Sequence, residues 1–137
     1  MTMTSTACAT WAPRVLSALR IVSGYLLLIH GTAKLFGAPD IGMSSTLHLA
    51  SLGGAAAIIE LVFGALLLVG LFTRFAAFIA SGFTAAAYFI GHVAGKGALL
   101  LPVLNGGDAA VLFCFVFLYI WAAGAGPWSI DALRHKT

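Results

Sequence analysis

The residues able to do chemistry in this 137-residue chain are few, and most sit where water is scarce. Arg20, His30 and Lys34 interrupt one apolar stretch, Glu60 interrupts a second, His92 closes a third and Asp108 opens a fourth. At ~100° per residue, Arg20, Ser23, Gly24, Leu27, His30, Gly31 and Lys34 share one side of a helix. Ionisable groups at membrane depth are costly and turn inward, toward partners or a wet cavity. Glu60, near the middle of its stretch, therefore needs a counter-charge or a proton, and by depth and reach Arg20 and His30 are its expected partners. Such a set can bind and protonate a small polar headgroup. In that reading Glu60 and His30 are the proton-exchanging, catalytic groups, and Arg20, Lys34, His92 and Asp108 bind the ligand. A quinone suits this chemistry, because its carbonyls accept hydrogen bonds from His or Lys and its reduction consumes protons. The same groups could instead form an ion-pair network that only holds short helices together, and residue types do not separate the two readings.

Other chemistries find less support. His30, His92 and Glu60 are suitable metal ligands by type, but no two lie at a close local spacing such as i,i+4, so no metal site is expected. Paired Cys motifs, a phosphate-binding glycine loop and haem-attachment motifs are absent. Cys8 falls in a polar leading segment and Cys114 inside an apolar run, so a bridge between them is not expected.

The elements that must position these groups are helices in a bilayer. The chain is 61% hydrophobic and only 8% charged, with a mean hydropathy of +1.06, whereas soluble domains carry about a quarter charged residues. The pattern predicts an all-α, integral-membrane four-helix bundle with short loops, its spans at roughly 14–36, 52–72, 74–92 and 108–124. Residues 1–12 read as a flexible tail and 13–137 as a single domain. Pro13 is expected at a helix start. The segment 37–51 is a loop containing His48, and 95–107 is too rich in Gly and Pro for a continuous helix, reading as a hairpin or re-entrant loop. Asp108 is the expected N-cap of the last span. No cleavable signal peptide is expected, since the first apolar stretch is too long and carries charge.

The net charge of +3 is too small and scattered to imply nucleic-acid binding; the basic residues read instead as topology signals. Arg14, Arg74, Arg134 and Lys136 fall on the side of the termini, and Lys34 and Lys96 on the other, so both termini are expected in the cytoplasm.

In these same residues the chain resembles the DoxX family of small membrane proteins. The matching pieces are R-x9-H-G-x2-K at Arg20, His30, Gly31 and Lys34; E-x3-G and GLFTR, covering Glu60, Gly64 and Gly70 to Arg74; and His92 at the end of the third span. They continue with an N-G-G-acid turn at Asn105 to Asp108 and G-P-W-S-I-D at Gly126 to Asp131. Asp108 stands where the family pattern usually has Glu, keeping the acid but shortening its reach. The resemblance implies a four-helix bundle in the bacterial inner membrane. It also implies quinone-linked redox work in sulfur or oxidative-stress metabolism, as a subunit or accessory of an oxidoreductase, with a quinone as the candidate cofactor. A partner redox subunit or a homodimer would complete such an assembly. The alternative is a non-catalytic binding or scaffolding protein whose buried charges are structural.

Overall fold

A computed structural model describes residues 5–40 and 49–135. Four long helices dominate it: α1 (Ser5–Phe36), α2 (Leu52–Val69), α3 (Thr73–Ala87) and α5 (Asp108–Ala123). α3 runs on through a π-helical turn, Tyr88–Val93, into a last α turn, Ala94–Lys96. Two short helices complete the chain, α4 (Pro102–Asn105) and α6 (Ile130–Arg134). Among the described residues there is no strand. Three helical stretches, Thr6–Phe36, Leu52–Val69 and Thr73–Lys96, are long and apolar enough to cross a membrane, and Asp108–Ala123 is a shorter apolar helix.

The leading segment departs from the expected loose tail. α1 begins at Ser5, so Pro13 lies inside it. Good helix formers at Ala7, Ala9 and Ala12 carry the helix back through this segment, and the Ser17 hydroxyl donates to the Pro13 carbonyl at 3.2 Å. Asp108 is the first residue of α5 and Gly107 its N-cap, which moves the expected cap by one position. His48 and Lys136 lie outside the described residues.

Helix pairing is set by small residues. A Cβ on Gly24 would meet the backbone of Leu67 and Leu68, one on Gly31 would meet Ala57 and Leu61, and one on Gly64 would meet Leu28, all within 3.0 Å. These contacts run α1 and α2 antiparallel with their backbones touching, the arrangement that dispersion forces favour where no water drives association. On the other side, Ala76, Ala77 and Ala80 of α3 form a flat surface against Phe117 and Ile120 of α5. The Ser81 hydroxyl ties the same pair by donating to the Cys114 carbonyl at 2.8 Å. Cys8 and Cys114 are both free thiols. The outward faces are apolar: Val15, Leu19, Val22 and Leu26 on α1, Phe75 and Phe78 on α3, and Leu112 and Phe115 on α5 are all exposed. Soluble monomers rarely show so continuous an apolar surface.

Candidate functional site

The polar groups do not share one axis. They fall into three clusters at different heights of the bundle, and each is built differently.

The first is a knot joining the middle of α1 to the ends of α2 and α5 and the starts of α3 and α6. α2 ends at Gly70, whose left-handed backbone (φ 71°) lets its amide reach the Leu66 and Leu67 carbonyls. Arg20 reaches the Leu67 and Leu68 carbonyls of the same end. This side chain is fully buried. Its Nη1 donates to Leu67 at 2.5 Å and Leu68 at 2.9 Å, its Nε to Ala125 at 2.8 Å, and its Nη2 to Trp128. Four of five N–H donors are thus satisfied by main chain, and the cation rests at the negative end of the α2 dipole. α3 has no side-chain cap of its own; Asp131 supplies one, accepting from the Phe72 amide at 2.9 Å and the Thr73 amide at 2.8 Å. Arg74 closes α5 in turn, donating from Nη1 to Trp121 at 2.6 Å and Ala122 at 2.8 Å. Partial burial works to raise the Asp131 carboxyl pKa, but the two amides and nearby Arg134 outweigh it and hold it below the usual carboxylate range. The G-P-W-S-I-D segment is therefore a fold element. A Cβ on Gly126 would come within 2.2 Å of the Ser17 hydroxyl.

The second cluster is an ion pair between α1 and α2. Lys34 Nζ donates to Glu60 Oε1 at 2.6 Å, with Lys34 15% and Glu60 7% exposed at the side chain. Glu60 Oε2 is buried and has no hydrogen-bond partner among the described residues. This corrects the expectation that Arg20 or His30 pairs with Glu60. The antiparallel register that places Gly31 against Ala57 and Leu61 also brings the end of α1 level with the middle of α2. Lys34 thereby reaches a group expected to lie deeper than itself. His30 is corrected as well: it is exposed, and its Nδ1 donates to the Leu26 carbonyl one turn below, at 2.7 Å. That bond leaves Nε2 of a neutral ring as an outward acceptor. His30 remains one helical turn from Lys34, on the adjoining face of α1.

The third cluster anchors the 97–107 loop. Asn105 is fully buried. Its amide nitrogen donates to the Gly97 carbonyl at 3.0 Å and its side-chain oxygen accepts from the Gly107 amide at 2.9 Å. The Tyr88 hydroxyl donates to the Leu99 carbonyl at 2.8 Å. His92 Nδ1 donates to the Asn105 carbonyl at 3.1 Å, and its ring stacks on Tyr88 at 6.4 Å between centroids. Both rings belong to the π-helical turn, a rare geometry that recurs at functional sites. Asp108 is exposed beyond this cluster.

Tyr88 and Asn105 were not among the expected site residues, although an Asn before Gly-Gly and an aromatic one turn before a histidine were visible signals. Among the described residues no three His, Cys, Asp or Glu side chains are grouped to hold a metal ion.

An uncharacterized protein of Haemophilus influenzae is 45% identical over 125 residues, which cover 88% of this chain and 91% of the relative. No solved structure matches. The DoxX family model matches residues 15–93, a stretch that carries Arg20, Lys34, Glu60 and His92. With three apolar helices of membrane-crossing length, the chain is a membrane protein and belongs to the DoxX family.

Proposed function

We propose that this protein is a bacterial inner-membrane component of quinone-linked redox metabolism, and that the Lys34–Glu60 pair is where it meets the quinone headgroup. The observation that carries this reading is Glu60 Oε2, a buried carboxylate oxygen without a partner beside a cation that is itself partly open. A buried polar atom left unmatched costs about 1–3 kcal/mol, more when charged, so the site gains when a proton or ligand reaches it.

Lys34 would donate a hydrogen bond to a quinone carbonyl, and Glu60 would deliver or take the proton that accompanies reduction. His30, one turn away with its Nε2 outward, would exchange that proton with the surroundings. His92 and Asp108 bound the opposite loop and would contact the ligand only at its edge. Arg20, with four carbonyl partners, serves the fold in this reading. Electrons would come from a donor or a partner subunit.

In this arrangement all four long helices cross the bilayer. At ~1.5 Å per residue the 16-residue α5 spans about 24 Å, a little short of the ~30 Å hydrocarbon core. The exposed apolar loop at Leu99, Leu100, Leu101, Val103 and Leu104, pinned by Asn105, extends that side into the interface. Both termini lie in the cytoplasm in this reading, which the basic residues Arg14, Arg74, Arg134 and Lys136 on that side support.

A second reading, a binding or scaffolding protein whose ion pair is a clamp, draws on the short 2.6 Å contact between α1 and α2. Titration of the purified protein with decylubiquinone separates the two. The quinone reading expects saturable binding weakened about tenfold or more in Lys34→Met, the loss of one charge-assisted hydrogen bond. Absence of binding, or equal binding in the variant, would leave the clamp.

A further inference from the structure

The Lys34–Glu60 pair joins two helices that cross the membrane, yet its surroundings differ toward the two faces. On one side the way is short. α1 ends at Phe36, two residues beyond Lys34, which puts the Lys34 backbone about 3 Å from the helix end at ~1.5 Å per residue. The Lys34 side chain is 15% exposed. His30, one turn back on the adjoining face, is exposed, and its Nδ1 is spent on the Leu26 carbonyl.

Toward the knot the seam between α1 and α2 is closed. Glu60 stands ten residues before Gly70, which ends α2, about 15 Å along the helix. Leu27, Gly64 and Leu67 fill that interval and are all buried. A Cβ on Gly24 would come within 3.0 Å of Leu67 and Leu68, and one on Gly64 within 3.0 Å of Leu28. Backbones that close leave no width for a file of water, which needs room and polar partners. Ser23 is buried in the same interval, and its hydroxyl donates to the Leu19 carbonyl of its own helix at 2.7 Å. Beyond it stands Arg20, a fixed cation engaged by four carbonyls. A fixed positive charge in a narrow passage turns protons and other cations away.

The α3–α5 half supplies no relay to the knot either. Among the described residues, its inward titratable groups are bonded within that half: Tyr88 to Leu99, His92 to Asn105, and Cys114 beside Ser81 at 3.6 Å.

We propose that Glu60 exchanges protons with one aqueous face only, the face opposite the termini, past Lys34 and His30. The seam from Leu27 to Arg20 seals it from the other face. Intramembrane carboxylates with one wet approach are the usual stations of proton transfer across or into a bilayer. The inference deepens the quinone reading and rests on it in one respect: the proton that accompanies quinone reduction at this site is drawn from the face opposite the termini.

The test needs no quinone. The full-length chain carrying Cys114→Ala keeps the exposed Cys8, near the start of α1, as a marker of the terminal face. Lys34→Cys, Glu60→Cys and Ser23→Cys are added singly. Spheroplasts and inverted membrane vesicles are each treated with the impermeant reagent trimethylammonioethyl methanethiosulfonate, which needs a wet thiolate, and modification is read by peptide mass spectrometry. Expected is modification of Cys8 in one preparation, of the Lys34→Cys and Glu60→Cys thiols in the other, and of the Ser23→Cys thiol in neither. Ser23→Cys replaces one atom and leaves the pair intact, so it keeps the test decisive if removing a charge from the pair unfolds the bundle. Three results would each overturn the proposal: Glu60→Cys reacting in the same preparation as Cys8, Ser23→Cys reacting in either, or both pair positions staying unmodified in both. One-sided labelling in a protein that binds no decylubiquinone would end the quinone reading and leave the sealed seam standing.

Discussion

The knot around Arg20 and the pair at Glu60 are both buried and polar, yet they are finished to different degrees. In the knot, one guanidinium meets four carbonyls, one carboxylate meets two amides, and a second guanidinium meets two more carbonyls. At the pair, a single contact satisfies half of a carboxylate and leaves the other half without a partner among the described residues. A network whose charges are fully matched resists change and serves the fold. A charge left half-matched is where a proton or ligand gains most.

The largest expected effect breaks the knot. Arg20→Met leaves the end of α2 and the turn that holds Ala125 and Trp128 with stranded carbonyls at about 1–3 kcal/mol each, several at once, and the protein should fail to accumulate in the membrane. Arg20→Lys should rescue little, because an ammonium cannot span four acceptors as the planar fork does. Expression as a fluorescent fusion, read by size-exclusion profile, checks both; a monodisperse Arg20→Met peak would refute the assignment. Next comes the interface that levels Lys34 with Glu60. Gly31→Ala puts a Cβ 2.5 Å from the Leu61 amide nitrogen, so α1 and α2 must separate, at about 1–3 kcal/mol by analogy with overpacked cores. Its melting temperature in detergent should fall, and if that register brings the pair together, quinone binding should weaken with it.

A smaller effect is expected at Asp131. Its folded pKa lies below the unfolded value, so its contribution is complete above the unfolded carboxylate range, near 3.9, and fades as pH falls through the lower folded value. Asp131→Ala should lower stability at neutral pH by about 0.5–2 kcal/mol, the usual worth of a helix cap, and flatten the acid limb of the melting curve. An acid limb identical in both proteins would remove Asp131 from it.

Much of this architecture was legible because a bilayer tolerates little ambiguity. Four apolar stretches separated by Gly, Pro and polar residues had to be helices, and Arg20 had to face inward. The error lay in depth. Centring each span on the membrane placed Lys34 above Glu60, whereas Gly24, Gly31 and Gly64 fix a register that makes them level. His30 shares Lys34's stripe at helical spacing, yet the side chain nearer the edge of that stripe points outward. Which main-chain carbonyls Arg20 would meet depends on how the Gly126–Ser129 turn folds back onto α1, and periodicity carries no information about that.

The most direct test of Glu60 as a working group is infrared difference spectroscopy of wild type and Glu60→Gln on addition of decylubiquinone. The account predicts a carboxyl C=O band that shifts with quinone binding in the wild type and is missing in the variant, whose stability falls by no more than about 1 kcal/mol, one hydrogen bond's worth. Identical difference spectra, or a Glu60→Gln protein that no longer folds, would show that this pair belongs to the fold as fully as Arg20 does.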